Sequence, residues 1–323
     1  MGENSKIEWT HHTFNPWIGC VKVSPGCQHC YAEAQNKRWG KDLWGVDKPR
    51  QITSAAYWHQ PLEWNDKAEV DGERRRVFCA SMADVFEDRE DLIEPRARLW
   101  NLIAATPALD WLLLTKRPEN LLRMVPWMAS DGMPWPNVWL GTSCEDQRRA
   151  DERIPHLLSV PAVVRFLSCE PLLGPVTLRD EWRMPRFADD DPRSLRADGR
   201  GVDWVIAGGE SGHGARPMHP GWARSLRDQC EEFGVSFFFK QWGEWFPRDQ
   251  WEHNPALVLP DDGDAYSNDT RTHVFIDAGE YYPMHRVGKQ KAGRLLNGRE
   301  WSQIPAPRRL GRAELPAKQE SLF

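Results

Sequence analysis

The chain has 323 residues, with 42 lysines and arginines against 47 aspartates and glutamates, giving a formal net charge of −5. Its mean hydropathy is −0.65, and no apolar run approaches the roughly 20 residues that a membrane helix requires. These values argue against a membrane-spanning protein and against a basic protein that coats nucleic acid. The polar N-terminus, residues 1–9, has no apolar signal region, and seven cysteines are an odd number for a disulfide framework, so we expect a cytoplasmic protein.

Short apolar runs recur along the chain and predict strands that are buried on both faces. Residues 14–18 are a weaker candidate for the first strand. The other predicted strands cover residues 77–81, 111–115, 138–141, 163–167, 204–207 and 235–239.

Helical patterns follow most of these runs, at residues 31–38, 92–105, 118–128, 146–158 and 220–233. Alternation of strands and helices implies parallel strands joined by right-handed crossovers. We therefore predict an α/β fold, a partial or complete (β/α) barrel over residues 1–243. A surface insertion is expected near residues 179–201, and a C-terminal extension with a charged tail over residues 244–323.

Polar or reactive residues follow nearly every predicted strand. In a parallel barrel these strand ends meet on one face, where barrel enzymes carry their chemistry. The simpler explanation, that loops are polar anyway, accounts for some of them. The paired glycines after the sixth run let backbone N–H groups approach a ligand closely, or merely form a tight turn. The polar, thiol and glycine residues at these ends are Ser81, Asp84, Thr115, Lys116, Arg117, Thr142, Ser143, Cys144, Glu145, Ser168, Cys169, Glu170, Gly208, Gly209, Glu210, Ser211, Gly212, Lys240 and Gln241.

Three cysteines lie in a Gly/Pro-rich loop after the first predicted strand: Cys20, Cys27 and Cys30, with the spacing C-x6-C-x2-C. Three thiolates are one short of a closed tetrahedral site, so a [4Fe–4S] cluster held here would leave one iron open. Zinc bound with His29, His11 or His12 is an alternative. A redox-active dithiol of Cys27 and Cys30 is another.

The motif and its surroundings resemble known proteins. The three-cysteine loop after a first barrel strand resembles the radical S-adenosylmethionine (SAM) superfamily, whose first cysteine gap is typically three residues rather than six. Residues 9–33, 79–84, 114–118, 168–172, 208–212 and 293–299 are similar to a phage and bacterial three-Cys-motif family of unknown function.

The resemblance implies a function. A [4Fe–4S] cluster on the three cysteines and SAM as cofactor would generate a 5′-deoxyadenosyl radical that abstracts hydrogen from a substrate. The resemblance places Tyr31 near the adenine of SAM. It also places Ser81 and Asp84 at the SAM amino group, and Ser143 and Glu145 at the ribose or carboxylate. Further contacts to substrate or SAM are expected from Glu170, Lys116, Arg117 and Glu210, and a hydrogen-atom or thiyl relay from Cys169 or Cys144.

The expected partners follow from the same resemblance. They are an external electron donor of the flavodoxin or ferredoxin type, a nucleic acid or nucleotide that is modified or repaired, and a possible partner protein, with no membrane. The alternative function is a non-catalytic zinc- or cluster-binding accessory protein of phage or defence systems. A metal-dependent barrel hydrolase ranks last because the sequence has no HxH or HExxH motif.

Overall fold

A computed structural model describes residues 2–182, 201–254 and 272–307. Its main sheet has seven strands, all parallel, in the order β1-β4-β5-β6-β7-β8-β9. Numbered along the chain, they are β1 (His12–Thr13), β4 (Arg75–Cys79), β5 (Leu109–Thr115), β6 (Val138–Ser143), β7 (Val164–Cys169), β8 (Trp204–Gly208) and β9 (Ser236–Gln241). Within the described residues β1 and β9 are the two edges, so the predicted α/β barrel is confirmed in its partial form.

Helices cover one face of this sheet. Their bounds are α1 (Tyr31–Arg38), α2 (Ala55–Asp71), α3 (Ile93–Ala104), α4 (Leu121–Met124), α5 (Gln147–Leu158), α6 (Pro220–Phe233) and α7 (Lys289–Ala292). The prediction missed α2, although Ser54 caps its start and Gly72 adopts the left-handed conformation at its end. None of the described helices has the length and apolar character needed to cross a membrane.

Two predicted elements were wrong in detail, and proline explains both. The first strand of the main sheet is β1, at residues 12–13, which lies before the predicted range of 14–18. Its ladder does not continue to Pro16, which has no N–H to donate. Only β1 joins the main sheet, whereas β2 (Trp17–Ile18) pairs antiparallel with β3 (Gln51–Ile52). The helix expected at 118–128 is interrupted before Pro126, which holds Val125 in an extended conformation.

The sheet has two different faces because side chains alternate along each strand. Residues such as Val77 and Cys79 join the core beneath the helices. Phe78 and its counterparts on neighbouring strands fill the other face, together with Trp9 from the N-terminal segment. Gly141 lies under Phe166, where a Cβ would stand 2.4 Å from the ring. The inner face is therefore a packed aromatic floor, and open space begins only above the carboxyl ends of the strands.

The C-terminal extension forms a second sheet, β10 (Trp245–Pro247), β12 (Glu280–Arg286) and β11 (Thr272–Asp277), all antiparallel. Its last described segment returns to the main sheet, where Phe239 N donates to Trp301 O at 2.9 Å. This segment covers part of the exposed edge of β9. The predicted boundary at 243/244 stays a prediction. Most of the predicted insertion, residues 183–200, and of the tail, residues 308–323, lies outside the described residues.

His12 is the first residue of β1, and the pH dependence of stability tests how its ring is packed. Its ring stacks on Trp64 at 4.4 Å between centroids, and burial, assisted by His11 and Arg75, lowers its pKa from 6.5 to about 4. An unfolded chain takes up this proton near pH 6.5 and the folded chain near pH 4. The stability that His12 contributes is therefore present above pH 6.5 and is lost as the pH falls towards 4, by up to about 3 kcal/mol.

The His12→Phe variant keeps an aromatic ring but cannot titrate. We expect its free energy of unfolding to fall less steeply than that of the wild type between pH 7 and pH 4, measured by urea denaturation at each pH. The matched control is His156→Phe on the exposed side of α5. Parallel curves for the wild type and His12→Phe would contradict the account.

Candidate functional site

A cavity of about 700 Å³ lies at the carboxyl ends of the parallel strands. It is enclosed by the N-terminal segment 2–7 and Trp9, by the cysteine loop, defined here as residues 20–30, and by the strand ends. The residues predicted for the site that line it are Cys20, Cys27, Cys30, Tyr31, Ser81, Asp84, Lys116, Arg117, Ser143, Glu170, Gly209 and Glu210. The topology therefore brings the cysteine loop and most of the predicted strand-end residues to one space.

All three cysteines of the loop are free thiols and are partly buried. Cys27 ends a 3₁₀ turn over Pro25–Cys27, and Cys30 precedes the first residue of α1. Burial raises the pKa of the Cys20 thiol to about 12, so a metal bound there must displace a proton. The loop brings the cysteines to one cavity wall, although no set of three or more His, Cys, Asp or Glu side chains is gathered as a metal cluster anywhere in the described ranges.

Arg117, at the end of β5, makes the first of three ties to this loop. Its guanidinium donates to Cys20 Sγ at 3.7 Å and to Val21 O at 3.0 Å. Asp84 holds the same guanidinium in an ion pair of 2.9 Å. Arg117 is thus a support for the loop rather than a free cation for substrate, and it does not pair with Glu145 or Glu170.

Asp84 differs from its expected role. One carboxylate oxygen accepts from Thr115 Oγ1 at 2.7 Å and from Phe86 N, and the other from Lys116 N at 3.0 Å and from Arg117. Four protein donors therefore occupy a carboxylate that was predicted to meet the SAM amino group. Asp84 instead fixes the β5 strand end.

Glu145, after β6, makes the second tie and also differs from its predicted ligand role. Its carboxylate accepts from Gly26 N at 3.1 Å and pairs with Arg153 of α5 at 2.8 Å. Burial by itself would raise the pKa of Glu145, but Arg153 and a hydrogen bond from Ser24 bring it below the usual value. The group is an anionic anchor for the middle of the loop, and it does not line the cavity.

Glu210, after β8, makes the third tie. Its carboxylate lies 3.1 Å from His29 Nδ1 and forms a two-pronged ion pair with Arg216, at 2.5 and 2.8 Å. Arg216 in turn donates to Pro25 O at 3.1 Å. Strand ends from β5, β6 and β8 therefore hold the start, middle and end of the cysteine loop.

The paired glycines have a structural cause. A Cβ on Gly209 would stand 1.9 Å from Trp242 O, and one on Gly208 would stand 3.3 Å from a Glu170 oxygen. Gly209 N also donates to Gln241 O at 2.9 Å. Close approach of the chains after β8 and β9 requires glycine here, so the prediction of a ligand-facing turn finds no support at Gly208.

Glu170 lines the cavity as predicted but is not free. Its carboxylate pairs with Lys240 at 2.8 Å and accepts from Gln241 at 3.3 Å. Tyr31 begins α1 and also lines the cavity, and its hydroxyl donates to Ser81 O at 2.7 Å. Asn15 fixes the Ser81 hydroxyl, with the Asn15 Nδ2 to Ser81 Oγ distance at 3.0 Å.

Cys169 and Cys144 lie in the hydrophobic core beneath the helices and are fully buried. Strand alternation explains this for Cys169, since its neighbours Ser168 and Glu170 face the cavity. Burial raises the pKa of both thiols. This placement does not fit the hydrogen-atom relay that was expected of them.

The histidines considered as zinc ligands are engaged elsewhere. His29 is held by Glu210, and its Nε2 packs against the turn at Gly214. His12 stacks on Trp64 at the N-terminal end of β1, and His11 Nδ1 accepts from Arg76 N at 2.8 Å. No histidine therefore completes the three thiols in the described part of the chain.

Two supporting residues were not among the predicted ones: Arg153 and Arg216. Lys240 was identified as a strand-end residue, but no partner was predicted for it. Arg153 and Arg216 carry no local signal, because their carboxylate partners are identified only by the fold.

Sequence comparison identifies a family. The family described as "Protein of unknown function (DUF5131)" matches residues 4–305. The chain belongs to this family. No curated protein matches the sequence.

Among solved structures, the chain is similar to a double mutant of spore photoproduct lyase with bound AdoMet and dinucleoside spore photoproduct. The identity is 12% and the TM-score 0.42, covering 89% of this chain and 71% of that one. A single mutant of the same lyase with dinucleoside spore photoproduct gives 11% identity and a TM-score of 0.43, with 88% and 71% coverage.

The buried Glu145–Arg153 ion pair can be tested by comparison with the exposed ion pairs that Glu152 makes on α5. Glu145→Ala leaves the buried Arg153 guanidinium without its carboxylate partner and frees the Gly26 amide. We expect a loss of about 3 kcal/mol in the free energy of unfolding and faster hydrogen exchange at Gly26.

The control is Glu152→Ala, which removes ion pairs with Arg148 and Arg149 on the outer side of α5. We expect this exposed network to change stability by less than about 1 kcal/mol. Equal effects of the two substitutions, measured by urea denaturation, would contradict the assigned role of Glu145.

Proposed function

We propose that this protein is a radical SAM enzyme, and one observation carries the proposal. Cys20, Cys27 and Cys30 all face the cavity at the carboxyl ends of a parallel partial barrel, on a loop that three strand ends fix in place. A structural metal site would be closed by a fourth protein ligand. Here the nearest histidine, His29, is committed to Glu210.

The donor set fits a [4Fe–4S] cluster held by these three cysteines with one iron open to SAM. When bound, the cluster and SAM would supply a 5′-deoxyadenosyl radical for hydrogen abstraction. The Arg117 guanidinium at Cys20 Sγ provides a cationic hydrogen-bond donor beside the first thiolate ligand.

The chain's own residues would position the ligands. Tyr31 offers an aromatic wall for the adenine, and its hydrogen bond to Ser81 O restricts its orientation. The N-terminal segment 2–7 and the cysteine loop close the cavity above the aromatic floor. Glu170, which pairs with Lys240, remains our candidate for contacting the substrate or SAM.

The charge balance of the cavity favours an anionic substrate. Its carboxylates at Glu3, Asp84, Glu170 and Glu210 are each paired with a lysine or arginine. Lys6, Lys116 and Lys289 line the same space, and none has a carboxylate partner among the described residues. We therefore propose a nucleic acid or nucleotide, modified or repaired in the cytoplasm, with a flavodoxin- or ferredoxin-type protein as electron donor.

Cysteine substitutions test the proposal. Anaerobically reconstituted wild-type protein with dithionite should convert SAM to 5′-deoxyadenosine and methionine, measured by chromatography. Cys20→Ala, Cys27→Ala and Cys30→Ala should each reduce the rate by at least about 100-fold, because each removes a proposed cluster ligand.

The matched control is Cys230→Ala, which removes a buried thiol on α6 that does not line the cavity. Its rate should stay near that of the wild type. Wild-type protein that retains zinc and no iron, and forms no 5′-deoxyadenosine, would reject the proposal in favour of a zinc-binding accessory protein.

A further inference from the structure

We propose that Lys116, Ser143 and Ser168 form an oxyanion subsite that takes a phosphate group of the substrate. This inference deepens the proposed function, on which it rests, by naming the chemical group that the cavity recognises. Ser143 and Ser168 lie at the carboxyl ends of β6 and β7, Lys116 directly follows β5, and all three line the cavity.

The strand register places them in one row. Ser143 and Ser168 are directly paired across β6 and β7. Lys116 lies one residue beyond the pair formed by Thr115 and Thr142, which is the position next to Ser143. Neighbouring strands are about 4.8 Å apart. One ammonium and two hydroxyl groups therefore converge over a width that suits a single tetrahedral anion.

Unused hydrogen-bonding capacity marks this row as a binding site. The Ser143 side chain is 1% exposed, and its Oγ has no hydrogen-bond partner in the described structure. A buried hydroxyl without a partner carries a desolvation cost that a ligand can offset. Its position on the cavity lining points to a ligand in the cavity rather than to a protein partner.

Lys116 provides the charge. Arg117, Arg153, Arg216 and Lys240 are all neutralised by carboxylates. The Lys116 ammonium has no ion pair with any described residue. Glu145, the carboxylate that follows β6, binds Arg153 and Gly26 instead. An anion at this row therefore meets a cation that no protein carboxylate has already bound.

The number of donors favours phosphate over the carboxylate of SAM. A phosphate ester presents two or three non-bridging oxygens to one ammonium and two hydroxyls, whereas a carboxylate presents two. Charge-assisted hydrogen bonds to lysine supply most of the affinity in such sites. The hydroxyls fix the orientation of the group.

The experiment measures binding to the reduced full-length protein without cluster, so that its outcome does not depend on SAM chemistry. Inorganic phosphate and a single-stranded DNA tetranucleotide are titrated by calorimetry at low ionic strength. We expect Lys116→Met to weaken both at least about tenfold, Ser143→Ala to weaken both severalfold, and Lys116→Arg to restore most of the affinity.

Lys41→Met is the matched control, since it removes the same charge outside the cavity, and it should bind both probes as the wild type does. Thermal unfolding of each variant verifies that it is folded. The subsite is rejected if wild-type protein binds neither probe, or if Lys116→Met binds them as the wild type does. Loss of SAM binding by reconstituted Lys116→Met with unchanged phosphate binding also rejects it, in favour of the SAM carboxylate.

Discussion

The arrangement of the whole site depends on the attachment of one loop to three strand ends. A loop rich in glycine and proline does not hold three thiols in place by itself. Arg117 and Glu145 bind its start and middle through Val21 O and Gly26 N, and the Glu210–Arg216 pair binds Pro25 O and the His29 side chain near its end. Because these anchors lie on different strands of one sheet, the position of the cysteines is inherited from the rigid core of the protein.

The aromatic floor has a complementary role. Large side chains on the inner face of the sheet fill the lumen up to Gly141 and Phe166, so that the cavity begins above the strand ends. The partial barrel also leaves β9 as an edge, and the returning C-terminal segment at Trp301 covers part of it.

Much of this arrangement was predictable from the sequence. Continuous apolar runs identified six strands, and most residues chosen by the strand-end rule line the cavity, because both predictions depend on local pattern. The roles of individual residues were less predictable. Asp84, Glu145 and Glu210 look like ligand contacts in the sequence, but their partners Arg117, Arg153 and Arg216 are determined by tertiary packing. Side chains alternate between the two faces of the sheet along β7, and the continuous apolar run does not show which face Cys169 takes. The structure places it in the core.

The central claim is that the three thiols hold a cluster with one iron left for a small molecule. Electron paramagnetic resonance of the anaerobically reconstituted and reduced protein, recorded with and without SAM, tests it most directly. The account predicts the signal of a reduced [4Fe–4S] cluster whose g values shift when SAM is added. An iron-free protein, or a cluster signal that SAM leaves unchanged, would contradict it.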